Sequence, residues 1–338
     1  MTYMNSKAIR LGYVPLTDCA PLVVAKEKGM FDQHEVNVRL IREPGWASLR
    51  DKLIYDELDM ASSVSALAVA IQLGKGCISA DVKVPMMLSI GGNAIVLSKE
   101  IDPNLIGEGE GLRNFMIGHW KKSRPLTFAV VHDFSFHHLL LRDWLIENQL
   151  DPDENVEIIT LPPEVIPRNL EAGTIDGYCV GEPWASTAVL GDYGWIVKTS
   201  MSDQAPCAEK LLITPNRVVE SSKSQVVAVC RALLEACAYC QNADNYEEVA
   251  TLLSGERYLN APKEVILNSF SREYNWGHKS VAGGALHEFH SERLHQPNSE
   301  KFRYILNKLV QHGVVNKTPF EKVQSLGAED LFEEIQSA

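Results

Sequence analysis

The chain has 338 residues, 45% of them hydrophobic and 22% charged, with a formal net charge of −12. One ordinary core stops growing well below that length, so two lobes are expected, and no low-complexity stretch or charge run marks a disordered tail. The Lys and Arg residues build no basic face, which excludes a general nucleic-acid binder, and no apolar run reaches membrane-helix length, so neither direct nucleic-acid binding nor membrane insertion is expected.

Residues 8–14 alternate as a strand, and Thr17-Asp18 supply an N-cap for an apolar helix that ends at Lys28-Gly29. The strand 36–41 completes a βαβ start, and such units build parallel sheets whose ligands lie beyond the carboxyl ends of the strands. The loop Glu43-Pro44-Gly45-Trp46 leads to a helix over Ser48–Leu58 and a buried helix around Ser63–Gly74. Met87–Leu97 reads as one long strand interrupted by Gly91-Gly92. After a weak stretch at 100–125, a second alternating series begins. It runs strand 127–131, helix 134–148, strand 156–161, helix 164–172 and strand 178–180. Trp195–Thr199 and Lys210–Thr214 read as further strands, and the remainder to Ala338 as nearly all helix, including 224–241 and 246–254. A chain that builds one lobe, crosses to another and returns suits a cleft that closes by hinge motion. The expected division is 1–97 with 205–338 as lobe 1 and 98–204 as lobe 2, the ligand cleft lying between them.

No apolar h-region or small-residue cleavage site is visible near Met1, so a cytoplasmic location is expected, or a periplasmic one if a leader has been removed. Of the seven cysteines (Cys19, Cys77, Cys179, Cys207, Cys230, Cys237, Cys240), Cys237 and Cys240 stand three apart within a helical pattern, which reads more simply as a helix face than as a metal pair, and all seven read as reduced structural thiols.

The glycines of 107–111 lack phosphate-loop spacing and are interleaved with carboxylates, and neither a Gly-x-Ser-x-Gly elbow nor a His-Glu-x-x-His helix occurs. No catalytic residue, metal or cofactor is therefore expected. His137 and His138 project roughly 100° apart on their helix, so they do not converge on one ion. A single histidine at the first turn of a helix is the better candidate. Its N–H can donate to an oxyanion beside free backbone N–H groups. Trp46 follows a strand, where α/β sheets place ligand contacts, although packing alone also accounts for it.

Several stretches together resemble the nitrate- and bicarbonate-binding proteins of ABC importers, the NrtA/CmpA type. They are 11–22 (LGYVPLTDCAPL), 25–29 (AKEKG), 46–51 (WASLRD), 177–184 (GYCVGEPW) and Glu209-Lys210. The resemblance implies a two-lobed, periplasmic-binding-protein-like (type II) α/β fold, each lobe a mixed, mostly parallel sheet flanked by helices, with a helical C-terminal tail. It places the family's cleft tryptophan on Trp46 and its amide-bearing strand on Gly91-Gly92-Asn93, where Asn93 is one methylene shorter than the family's glutamine. The family's cleft histidine falls on His137 and its lysine on Lys210. Gly92 and Glu182 complete the ligand contacts that the resemblance implies.

With Lys210, the His137 N–H, the Asn93 amide and backbone N–H groups near Trp46, the expected pocket offers donors only. That favours nitrate or nitrite, held without metal, over bicarbonate or hydrogen phosphate, whose O–H would lack an acceptor. The N-terminal reading then makes the chain most similar to the cytoplasmic nitrate sensor of the NasS type, whose partner is a NasT-type (ANTAR) RNA-binding antiterminator. On that expectation the acidic surface docks the basic partner. The alternatives are a receptor of a nitrate or related anion importer and, remotely, an enzyme similar to the thiamin pyrimidine synthase, whose clustered cysteines the scattered ones here do not match.

Overall fold

A computed structural model describes residues 7–106, 111–120, 124–202, 208–271, 273–282 and 286–337. The segment 107–110 and Cys207, both considered above, lie outside the described residues. In chain order the first elements are β1 (Ile9–Tyr13), α1 (Ala20–Glu27), α2 (Met30–Gln33), β2 (Val38–Arg42), α3 (Trp46–Ile54), β3 (Met60–Val64), α4 (Ser65–Leu73) and β4 (Val82–Gly91). Next come β5 (Asn93–Ser98), α5 (Gly111–Trp120), β6 (Leu126–Val130), α6 (Phe136–Glu147), β7 (Val156–Thr160), α7 (Ile166–Glu171), β8 (Gly177–Gly181), α8 (Trp184–Leu190) and β9 (Gly194–Thr199). The chain then returns through β10 (Ala208–Pro215), α9 (Asn216–Gln241), α10 (Tyr246–Ser254), α11 (Lys263–Phe270), β11 (Glu273–Asn275), β12 (Ser280–Ala282), β13 (His287–Glu288), α12 (Ser299–Gln311) and α13 (Glu329–Gln336).

Two mixed sheets result. The first has the order β13-β4-β10-β3-β1-β2, and the second β7-β6-β8-β5-β9. In the first, β1 pairs in parallel with β2 and β3, while β10 runs antiparallel between β3 and β4. In the second, β6 pairs in parallel with β7 and β8, and β5 is antiparallel to β8 and β9. This is the two-sheet α/β binding-protein architecture. Helices cover the sheets with narrow apolar stripes. On α12, Asn298 caps the start by accepting from Lys301 N–H, and Phe302, Ile305, Leu306 and Leu309 recur at helical spacing and are buried. Each such side chain contributes roughly 1.5–3 kcal/mol by leaving water.

Three expectations change. Met87–Leu97 is not one strand: Gly91 and Gly92 have φ of 80° and 89°, and the chain passes there from the first sheet into the second. Only glycine enters that backbone region without strain. On this sheet membership we propose that the first crossing between lobes lies at Gly91-Gly92, ahead of β5, and the second between Thr199 and Ala208. Met60–Val64, read partly as helix, is the buried strand β3, because a sheet covered on both faces imposes no alternation on its sequence. The C-terminal third is not all helix, since β11, β12 and β13 interrupt it and β13 extends the first sheet by pairing with β4.

Candidate functional site

Lys210 is the centre of the site. It lies on β10 opposite Val64 of β3 and Ser89 of β4, and the β10–β4 register slips on either side of it. Such bulges re-aim a side chain out of the regular pleat. The ammonium is fully buried, 2.8 Å from Asp18 Oδ2 and 3.3 Å from Glu209 Oε1. The Asp18 approach is an ion contact rather than an aligned hydrogen bond. Trp46 opens α3 after the extended Gly45 and places its ring 5.3 Å from the Lys210 Nζ, a cation–π contact.

Around this pair the described residues concentrate buried polar atoms that have no hydrogen-bond partner. They are Trp46 Nε1, Ser65 Oγ, Ser89 Oγ, both polar side-chain atoms of Asn93, and both ring nitrogens of His137 and of His287. His137 sits in the first turn of α6 behind the Ser135 cap, which accepts from His138 N–H. Its Nε2 and the Asn93 Oδ1 both lie against Gly181, so β5, β8 and α6 bring them together. His287, on β13, packs over Gly92, where a Cβ would run into its ring. Buried polar groups are nearly always satisfied, so such a concentration marks a place built to hold a polar species.

Electrostatics tie the cluster together. Burial pulls the Lys210 ammonium down, but Asp18 and Glu209 outweigh it and leave the lysine above its ordinary value. Burial pushes the Asp18 and Glu209 carboxyls up despite the lysine. Asn93 favours the charged form of Glu209 without making a fully formed hydrogen bond to it. Burial, reinforced by the charge of Lys210, holds His137 well below the usual imidazole range and His287 down at about 3. Both shifts favour the neutral ring, which carries one N–H donor and one bare acceptor nitrogen.

Of the residues expected from sequence, the structure brings Trp46, Asn93, His137 and Lys210 together. Gly92 is nearby in another role. Its N–H donates to Leu286 O and its carbonyl accepts from Glu182 N–H, leaving its missing side chain as the space His287 occupies. Glu182, expected to meet the ligand, is instead an internal clasp, because one carboxyl oxygen contacts Tyr274 Oη and the other accepts from Ser186 N–H. The donors-only pocket is also corrected. Asp18 and Glu209 put two carboxylates on Lys210, and the neutral imidazoles and the Asn93 oxygen add acceptors. Thr17 and Asp18 make no side-chain cap, since Asp18 is turned to the lysine. Among the described residues, no group of three or more His, Cys, Asp or Glu is arranged to hold a metal ion.

Elements that belong to the two sheets meet beside this cluster. Thr17 N–H donates to Glu182 O, Trp184 Nε1 to Pro15 O, and Lys308 Nζ approaches Asp143 at 2.9 Å. A single buried apolar cluster runs through Leu16, Trp46, Val180 and Trp184 and joins the two halves. Gly92→Ala tests the close approach of His287. The positive φ alone is expected to cost roughly 1–2 kcal/mol, and displacement of the ring adds to it. A stability loss no larger than that backbone cost would show that the approach is not tight.

Residues 3–254 match the NMT1-like family. The nitrate import ATP-binding protein NrtC of Synechocystis is 35% identical over 96% of this chain and 49% of its own length. The bicarbonate transport ATP-binding protein CmpC of Synechococcus elongatus is 33% identical over 91% of this chain and 45% of its own. This chain thus spans about half the length of these two relatives. The nitrate/nitrite binding protein NrtA of Nostoc is 26% identical over 97% of this chain and 76% of its own. The crystal structure of the periplasmic nitrate-binding protein NrtA from Synechocystis superposes with a TM-score of 0.89 at 22% identity, covering 98% of this chain and 88% of that one. The family match spans most of both sheets and every site residue named above except His287, and on it the chain belongs to the NMT1-like family.

Proposed function

We propose that this chain binds a small planar oxyanion, nitrate or nitrite, in the cleft between its lobes and serves as the binding component of an import system. The observation that carries the reading is the buried Lys210 ammonium, surrounded by unpartnered polar atoms from both lobes. A fixed cation in a low-dielectric cleft stabilises a monoanion far more than one in water does. The relatives add support, because their names join nitrate to import and to binding, and bicarbonate to transport. The chain has no Walker-type glycine loop, so we propose that the half shared with the ATP-binding relatives is the anion-binding half.

The two carboxylates bear on ligand choice. One ammonium balances only one of them, so a monoanion enters most readily when Asp18 and Glu209 share a proton between them. A ligand that brings its own O–H, as bicarbonate does, finds an acceptor there. Calorimetric titration with nitrate, nitrite, bicarbonate and sulfate, with and without chelator, separates these cases. One-to-one binding of nitrate or nitrite without metal is expected, with a stabilisation of about 2.7 kcal/mol at a ligand concentration of 100 Kd. Binding that disappears on chelation and returns with calcium, or that is confined to bicarbonate, would refute the nitrate reading.

The sensor reading stands second. Its support is the net charge of −12, which suits a basic partner of the NasT type. Linkage then requires that nitrate and the partner weaken each other's binding by one common factor. A pull-down whose yield is indifferent to nitrate would remove it.

A further inference from the structure

We propose that His287 is a further ligand-contacting residue, which donates its ring N–H to the bound oxyanion from the first lobe, as the counterpart of His137 from the second. The proposal rests on the anion-binding reading above. His287 is only 2% exposed, and neither ring nitrogen has a partner among the described residues. An unpaired buried imidazole costs stability that a folded protein normally avoids. Its position is nevertheless imposed from several sides. β13 pairs His287 with Gly91 and Glu288 with Ile90. The ring stacks on Phe289 at 5.3 Å between centroids and leans on Phe270 at 6.2 Å. Gly92 supplies the space on its remaining side.

These constraints fix the ring where the chain crosses between lobes, beside the Asn93 that begins β5. The Lys210 charge reaches both His287 and His137. The groups set against His287 are Gly92 at the crossing and the aromatic pair Phe270 and Phe289, with the charge of Lys210 on β10 within electrostatic reach; among the described residues no carboxylate is hydrogen-bonded or ion-paired to the ring. A donor so placed is satisfied by an acceptor held at Lys210.

The test compares His287→Leu and His287→Gln with wild type by nitrate and nitrite titration. A hydrogen bond to a charged ligand predicts that His287→Leu weakens binding by about tenfold or more, with part of the affinity recovered in His287→Gln through its amide N–H. In wild type, the imidazole nitrogen signals of His287 should shift on saturation with nitrate, a change that a purely packing role would not produce. If wild type binds and His287→Leu binds with the same Kd, or the ring signals stay fixed at saturation, the proposal is overturned while the anion reading survives. If wild type binds no oxyanion, both fall together. Should His287→Leu fail to fold, the ring signals and His287→Gln still decide.

Discussion

Lys210→Ala is expected to abolish anion binding and, at neutral pH, to destabilise the protein by about 3–5 kcal/mol, the usual cost of removing one partner from a buried ion pair. The physical reason is that Asp18 and Glu209 are buried and, among the described residues, pair with no cation besides Lys210. Their carboxyls already lie above the ordinary values of 3.8 and 4.5, and without the ammonium they rise further. A raised folded-state value contributes stability that is complete below the unfolded value and is lost as pH rises through the folded one. The deficit of Lys210→Ala should therefore shrink as the pH is lowered toward 4. The triple variant Lys210→Met, Asp18→Asn, Glu209→Gln should regain stability without regaining binding. Thermal unfolding between pH 4 and 8, paired with nitrate calorimetry, measures both effects. An unchanged melting temperature for Lys210→Ala at pH 7.5 would show that the triad is not coupled.

Glu182→Gln should flatten the pH dependence of stability. Burial lifts the Glu182 carboxyl from 4.5 to about 8, with the Ser186 N–H opposing the rise. Between those values the folded protein keeps a proton that the unfolded chain has released. Stability from this group is thus complete below pH 4.5 and falls by about 1.4 kcal/mol for each pH unit up to pH 8. Glutamine keeps both contacts, accepting from Ser186 N–H and donating to Tyr274 Oη. The difference between wild type and variant in chemical denaturation from pH 5 to 8 isolates this residue from Asp18, Glu209 and the buried histidines. A difference that does not change with pH would show that Glu182 is ionised in the folded protein.

What the sequence revealed follows from where each signal is stored. The strands β1, β6 and β7 and the helices α6 and α10 carry local periodicity, and they are found close to where that periodicity puts them. Trp46, Asn93, His137 and Lys210 were reached through motif stretches, and they converge. Asp18 and Glu209 sat in those same stretches, yet nothing local distinguishes a capping aspartate from one turned inward to a lysine nearly two hundred residues away. Their effect on Lys210 exists only once β10 has entered between β3 and β4. β3 reads Met-Ala-Ser-Ser-Val, small and polar enough to pass for the start of a helix. His287 lies on a two-residue strand, too short to show any period.

The division of labour between the halves carries a consequence for rates. The ionisable groups at the centre, Lys210, Asp18 and Glu209, belong to elements of the first sheet and its helices, whereas Asn93 and His137, from the second half, are uncharged. An incoming ion would meet the charges of the site, Lys210 with its two carboxyls, before the second half touches it. Capture would then respond to ionic strength and to Lys210 and be indifferent to His137, whereas residence time would respond to His137, Asn93 and the Lys308–Asp143 bridge. Stopped-flow traces of the same variants would separate into two groups, those that arrive slowly and those that leave early.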